Sequence, residues 1–148
     1  MADRFELKEN APDDVVFDCM ARAKVNLIMS KREGSCIAIV EAMFANTPSG
    51  MFRDAEVGSR VFINEHTGRF LTDDHLGAQL MDFIANAGKY SPRKWMLENQ
   101  HDCHGSSAVM NEVIKQKMLK RGQAWTTDLS PLHWRPDPQV AIMVFLPP

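Results

Sequence analysis

Residues 60–88 constrain the fold of this chain most, because they predict a compact strand, turn, strand and helix in succession. Two short β-prone runs, residues 60–64 and 69–71, flank Gly68, where a tight hairpin loop needs a positive φ. A helix is predicted from Asp73 to Ala87, since apolar residues recur there at helical spacing. Neither piece buries its apolar face alone, so we expect the helix to lie across a sheet with further strands.

The chain before this unit predicts one helix and one ambiguous element. Pro12 and the two aspartates after it are typical of a helix start, and apolar residues then follow at spacings of three and four. This pattern predicts a helix over residues 13–30. Residues 35–46 fit either a buried strand or a helix, and residues 46–50 are typical of a turn.

The chain after this unit predicts two more helices. Ser91 and Pro92 have the order of a cap followed by a proline at the first helical position. Ser106 or Ser107 can cap a longer helix that ends at Gly122. Its predicted apolar stripe consists of Met110, Val113, Ile114 and Met118.

A strand over residues 139–146 completes the predicted elements, and its many apolar residues favour a central position in a sheet. The fold class predicted from these patterns is α+β. We expect a single globular domain over residues 1–148, with a mostly antiparallel sheet of about four or five strands and helices packed largely on one face.

Composition narrows the classes of partner. The chain has 148 residues, 45% of them hydrophobic, and a formal charge of -2, without the basic excess that nucleic-acid binding favours. No apolar stretch is as long as a membrane span. The three cysteines are an odd number at wide spacing, so they cannot all pair within the chain and do not resemble a secreted disulfide framework. We therefore expect a cytoplasmic protein with reduced thiols, no nucleic-acid partner and no membrane partner.

The densest polar cluster, residues 100–105, has a cysteine among histidines. Cys103 just before a predicted helix would feel the positive end of the helix dipole, and a nearby imidazole can lower a thiol pKa further. His101, His104 or the distant His133 could act as the base. This pattern predicts a candidate catalytic set of Cys103, His104 and His133 for a cysteine-dependent hydrolase or transferase.

Four residues of this cluster carry a resemblance to a known family. The run Asp102-Cys103-His104-Gly105 resembles the Asp-Cys-x-Gly start of the catalytic helix in NlpC-type cysteine peptidases. That family places its histidine on a later strand, whereas His133 lies in a proline-rich segment. The resemblance covers these four residues only and does not assign the chain to the family.

Two other interpretations of the cluster stay open. His101, Cys103 and His104 are all metal-ligand types, but their spacing matches none of the familiar zinc patterns. A polar loop that caps helix ends and contacts water explains the same residues without chemistry. Glycines are too scattered for a phosphate-binding loop, so a nucleotide-driven mechanism is not expected. We also expect neither a bound metal nor a cofactor.

The segment of residues 125–138 predicts a docking surface. It combines two tryptophans, three prolines and an arginine, and aromatic and arginine side chains dominate binding hot spots. The alternative is that both tryptophans pack into the core. The candidate binding residues are Trp125, Leu132, Trp134 and Arg135.

Two function classes follow from these features. The first is a small non-enzymatic protein-binding or inhibitory accessory module whose partner is another protein, because no catalytic pattern is complete. Small chains of this kind are often accessory or antagonist proteins of phages and mobile elements. An inhibitory role is included in the hypothesis for this reason. The second is the cysteine-dependent enzyme centred on Cys103.

Overall fold

The computed structural model describes residues 5–129, and the chain divides into two compact units between Glu98 and Asn99. The first unit contains four helices and three strands, and the second contains one long helix. In chain order the elements are α1 (Asp13–Arg22), β1 (Asn26–Ile28), α2 (Ile37–Phe44), β2 (Ser49–Phe52), β3 (Gly68–Leu71), α3 (Leu76–Ala85), α4 (Pro92–Glu98) and α5 (Cys103–Lys120). The prediction of one globular domain over the whole chain stays a prediction.

The sheet of the first unit is parallel. Its strands lie in the order β1, β2, β3, with Asn26 opposite Ser49 and Ser49 opposite Gly68. Within the described residues the fold is thus α+β with five helices and three parallel strands. The predicted antiparallel sheet of four or five strands is wrong.

The predicted β-hairpin is wrong for the same reason. Residues Gly58–Phe62 form a short 3-10 helix instead of a strand, and β3 pairs with β2, which precedes it by a long connection. The sequence pattern missed β2 because Ser49 and Gly50 resemble turn residues. All four residues of β2 are buried, as expected for the central strand of a parallel sheet.

Two glycines allow this packing. A Cβ on Gly68 would lie 1.8 Å from the carbonyl oxygen of Ser49, so only glycine lets β3 approach β2 at this register. A Cβ on Gly50 would lie 3.0 Å from the ring of Phe83, which packs there against the sheet. The predicted positive φ of Gly68 is not found, and the requirement for glycine comes from the close approach of two backbones.

The first helix is shorter than predicted. α1 ends at Arg22, because Ala23 is extended and Asn26 begins β1, donating its side-chain amide to Ser49 Oγ at 3.1 Å. The ambiguous residues 35–46 contain the helix α2, which packs against α1 and α4.

The buried core of the first unit lies around the sheet and α2. Phe83 on α3 is fully buried, as predicted, and its ring meets Tyr90 edge-to-face at 5.4 Å between centroids. Leu80, also predicted to be buried, is only half-buried. The other large apolar side chains with no exposed surface are Ile39, Met43, Met51, Leu71 and Met96.

The turn between β3 and α3 is held by one side chain. Gln79 donates its amide to Thr72 Oγ1 at 2.9 Å and accepts the backbone N–H of Thr72 at 3.1 Å. His75 has a φ of 53°, and α3 starts at the next residue. The predicted start at Asp73 is therefore early by about one turn.

The remaining sequence predictions concern a short helix, a C-terminal strand and membrane spans. The short helix predicted from Pro92 is confirmed as α4. The strand predicted over residues 139–146 lies outside the described residues. Between residues 5 and 129, no helix combines the length and the apolar character needed to cross a bilayer.

Candidate functional site

The helix α5 begins with a side-chain cap from Asp102. The Asp102 carboxylate accepts the backbone N–H groups of His104 at 2.8 Å and Gly105 at 2.9 Å, and these bonds, that of Gly105 first, lower the pKa of Asp102. Ser106 and Ser107, the predicted caps, lie within the helix instead. The cap is therefore Asp102, the residue before the first helical position.

Cys103 is the first residue of α5 and is exposed. The backbone N–H groups of His104 and Gly105 at this helix end donate to the carboxylate of Asp102, the residue before Cys103. His104 is the next residue and is also exposed, while His133 lies outside the described residues. The nucleophile hypothesis for Cys103, His104 and His133 therefore stays a prediction.

The glycine of the Asp-Cys-His-Gly run has a structural role. A Cβ on Gly105 would lie 2.6 Å from the Cβ of Gln100, which has a φ of 58°. The chain thus folds tightly over the start of α5, and this requires a glycine. The cap of Asp102 and the packing of Gly105 together explain two of the four residues of the resemblance.

The metal alternative gains no support from the geometry. Between residues 5 and 129, no three His, Cys, Asp or Glu side chains come together in a way that could hold a metal ion. The absence of such a group includes the three ligand-type residues of the cluster, His101, Cys103 and His104.

Cys36 differs from Cys103 in its surroundings. It lies directly before α2 with a φ of 51°, and burial, assisted by Glu33, raises the pKa of its thiol to about 11. A thiol with such a pKa is almost entirely protonated at neutral pH. Cys36 is therefore a packing residue.

The C-terminal end of α5 is closed by a Schellman motif. Gly122 has a φ of 72°, its N–H donates to the Leu119 carbonyl at 3.0 Å, and the Gln123 N–H donates to the Met118 carbonyl at 3.0 Å. Gly122 ends the helix as predicted.

The chain after Gly122 returns along one side of α5. Trp125 donates its indole N–H to Asp128 Oδ1 at 2.7 Å, and Asn111 donates to the same oxygen at 3.1 Å. The backbone N–H of Leu129 donates to Asn111 Oδ1 at 2.7 Å. Asn111 thus fixes Trp125 and the returning segment against the middle of α5.

One predicted binding residue, Trp125, lies beside α5, because it shares Asp128 Oδ1 with Asn111. Its side chain is half-buried. The other three, Leu132, Trp134 and Arg135, lie outside the described residues. Sequence reasoning missed Asn111 and Asp128, because a single Asn and Asp 17 residues apart give no local signal of contact.

The opposite side of α5 carries apolar side chains that are open to solvent. Val109 is 49% exposed, Met110 54% and Val113 48%, and none of the residues of α5, all of which the structure describes, is buried. Lys117 and Lys120 continue the same side at spacings of four and three. We call this surface the α5 face; it consists of Val109, Met110, Val113, Lys117 and Lys120.

The predicted apolar stripe of this helix is therefore divided. Ile114 and Met118 are half-buried on the side of Asn111, whereas Met110 and Val113 lie on the exposed side. Helical spacing alone does not distinguish the two sides, because apolar residues occur on both.

A second polar cluster lies at the carboxyl edge of the sheet. Lys31 Nζ is 3.4 Å from Asp54 Oδ2 and 3.4 Å from Asp73 Oδ2, and these carboxylates, Asp54 first, raise the pKa of Lys31. Ligands often bind at this edge of a parallel sheet. However, all three side chains are well exposed and Lys31 stays cationic, so the cluster fits ion pairs between strand ends better than a catalytic amine.

Comparison of the chain with protein-family models, with curated proteins and with solved structures found no match. The four-residue resemblance to the NlpC-type peptidases therefore has no support beyond these residues.

Proposed function

We propose that this chain is a small non-enzymatic protein-binding or inhibitory module that docks on another protein through the α5 face. One observation carries the proposal: three neighbouring apolar side chains, Val109, Met110 and Val113, are each about half exposed on one side of a long helix. Contiguous exposed apolar surface of this kind is typical of interaction sites.

The α5 face is also held rigid by contacts at both ends of the helix and on its opposite side. Asp102 caps one end of the helix, Gly122 closes the other, and Asn111 holds the returning segment on the opposite side. A surface held rigid in this way loses little conformational entropy when a partner docks. Trp125 lies on the opposite side of the same helix, and Leu132, Trp134 and Arg135 follow it in sequence, so these four residues stay predicted binding residues outside the α5 face.

The double substitution Met110→Lys/Val113→Lys is expected to reduce partner recovery at least about tenfold, because both changes place a charge in an apolar contact. The measurement is recovery of bound proteins from a lysate of the cells that express this chain, quantified by mass spectrometry against the wild type.

The matched control is Val61→Lys/Met81→Lys, which adds the same charge at two exposed apolar positions of the first unit, 75% and 68% exposed. Its recovery of the same partner should equal that of the wild type. Equal recovery by both double variants, with circular dichroism confirming that both fold, would exclude the α5 face as the docking site.

A further inference from the structure

The α5 face is divided along the helix axis into an apolar half and a cationic half. Val109, Met110 and Val113 occupy the N-terminal half, and Lys117 and Lys120 the C-terminal half, over a length of about 16 Å. Within residues 5–129 no ion pair involves Lys117 or Lys120. A partner that covers the whole face must therefore supply apolar side chains to one half and negative charge to the other.

The charge along the C-terminal part of α5 is strongly one-sided. Between Asn111 and Arg121 there are three lysines and one arginine against a single acid, Glu112, whose carboxylate accepts the side-chain amide of Gln116 at 2.7 Å. The positive charge of the cationic half is thus not balanced by acidic residues of the same helix.

A second copy of this chain complements the face poorly. A parallel copy would place lysines against lysines. An antiparallel copy that covers the same face would place Lys120 opposite Val109 and Lys117 near Val113 of the other helix, so that each cationic half lies on an apolar half. Charge complementarity therefore favours a different, acidic partner.

We infer, building on the proposed function, that the α5 face binds an acidic amphipathic helix of another protein in antiparallel orientation. In this orientation the acidic residues lie in the first turns of the partner helix, next to Lys117 and Lys120, and its apolar residues lie in the later turns, on Met110 and Val113. Acidic residues at a helix N-terminus are stabilised by the helix dipole, so this order also favours the partner helix itself.

The test uses the full chain and three synthetic helical peptides of equal length. The first has glutamates in its N-terminal half and leucines at helical spacing in its C-terminal half. The second has the same residues with the two halves exchanged, and the third has lysines in place of the glutamates. Fluorescence anisotropy measures the dissociation constants up to about 1 mM protein, the weak end of specific binding.

We expect the first peptide to bind at least about tenfold more tightly than the other two. Lys117→Glu/Lys120→Glu should remove this preference, and Val113→Lys should weaken binding of the first peptide. Raising the ionic strength from about 0.05 to about 0.3 M should also weaken it, because salt screens exposed charge pairs.

Equal affinity for the acidic and the lysine peptide, or no binding of any peptide, would overturn the inference. So would a dimer of the chain alone in sedimentation velocity that Met110→Lys abolishes, because the face would then bind a second copy. The proposed function can fail separately: it fails if Met110→Lys/Val113→Lys leaves recovery from the lysate unchanged, whatever the peptides do.

Discussion

Replacing Gly68 with alanine is expected to lower the free energy of unfolding by about 3 kcal/mol or more. The added Cβ would lie 1.8 Å from the carbonyl oxygen of Ser49 and 2.8 Å from its carbonyl carbon. Both atoms belong to the backbone of the central strand, so no side chain can rotate to make room. The strands β2 and β3 would have to separate at the register that holds the sheet together.

Gly77→Ala is the matched control for this prediction. Gly77 lies within α3 with no atom near the position of a Cβ, so alanine should leave the free energy of unfolding unchanged or raise it by up to about 1 kcal/mol. Urea melts followed by circular dichroism measure both variants. Equal stability of the two variants would contradict the parallel pairing of β2 with β3.

Replacing Phe83 with alanine is expected to lower the free energy of unfolding by about 3–5 kcal/mol. Its ring is fully buried, packs where Gly50 leaves space on β2 and meets Tyr90 edge-to-face. Removal of the ring leaves a cavity between α3 and the sheet, beside Leu27 and Leu71.

Met81→Ala on the same helix is the control, because Met81 is 68% exposed. Its effect should stay within about 0.5 kcal/mol, as for most surface substitutions. Denaturant melts of the two variants give the comparison directly. A loss of less than about 1 kcal/mol for Phe83→Ala would mean that α3 packs on the sheet through another side.

Local signals in the sequence predicted several helices well. Pro92 after Ser91 gave the start of α4, and Gly122 gave the end of α5, because caps and stops depend on a few neighbouring residues. Phe83 was correctly predicted as buried from the helical spacing of α3.

The sheet could not be predicted in the same way. Asn26 and Ser49 lie 23 residues apart, and their pairing is decided by packing between distant parts of the chain. Ser49 and Gly50 of β2 resemble turn residues when only their sequence neighbours are considered. Gly50 is needed in the strand because it leaves space for the ring of Phe83. Pairing of this kind leaves no periodic pattern in the sequence.

The candidate site could be predicted only in part. The composition around Trp125 predicts a docking surface, which stays a prediction, and the residue lies on the side of α5 opposite the α5 face. The exposed row of Val109, Met110 and Val113 could not be told from a buried stripe, because spacing does not show which side of a helix meets solvent.

Methionine oxidation tests the central claim, an open α5 face, most directly. The full chain is treated briefly with dilute hydrogen peroxide, and the oxidised fraction of each methionine is measured by mass spectrometry. Met81, at 68% exposure, is the exposed standard, and the fully buried Met43, Met51 and Met96 are the protected standards.

Met110 is expected to oxidise at a rate close to that of Met81 and at least about tenfold faster than the three buried methionines. Saturating acidic peptide should slow the oxidation of Met110 and leave that of Met81 unchanged. If Met110 in the chain alone were as slow as Met43, Met51 and Met96, another part of the protein would cover the α5 face, and the account of a docking surface would be wrong.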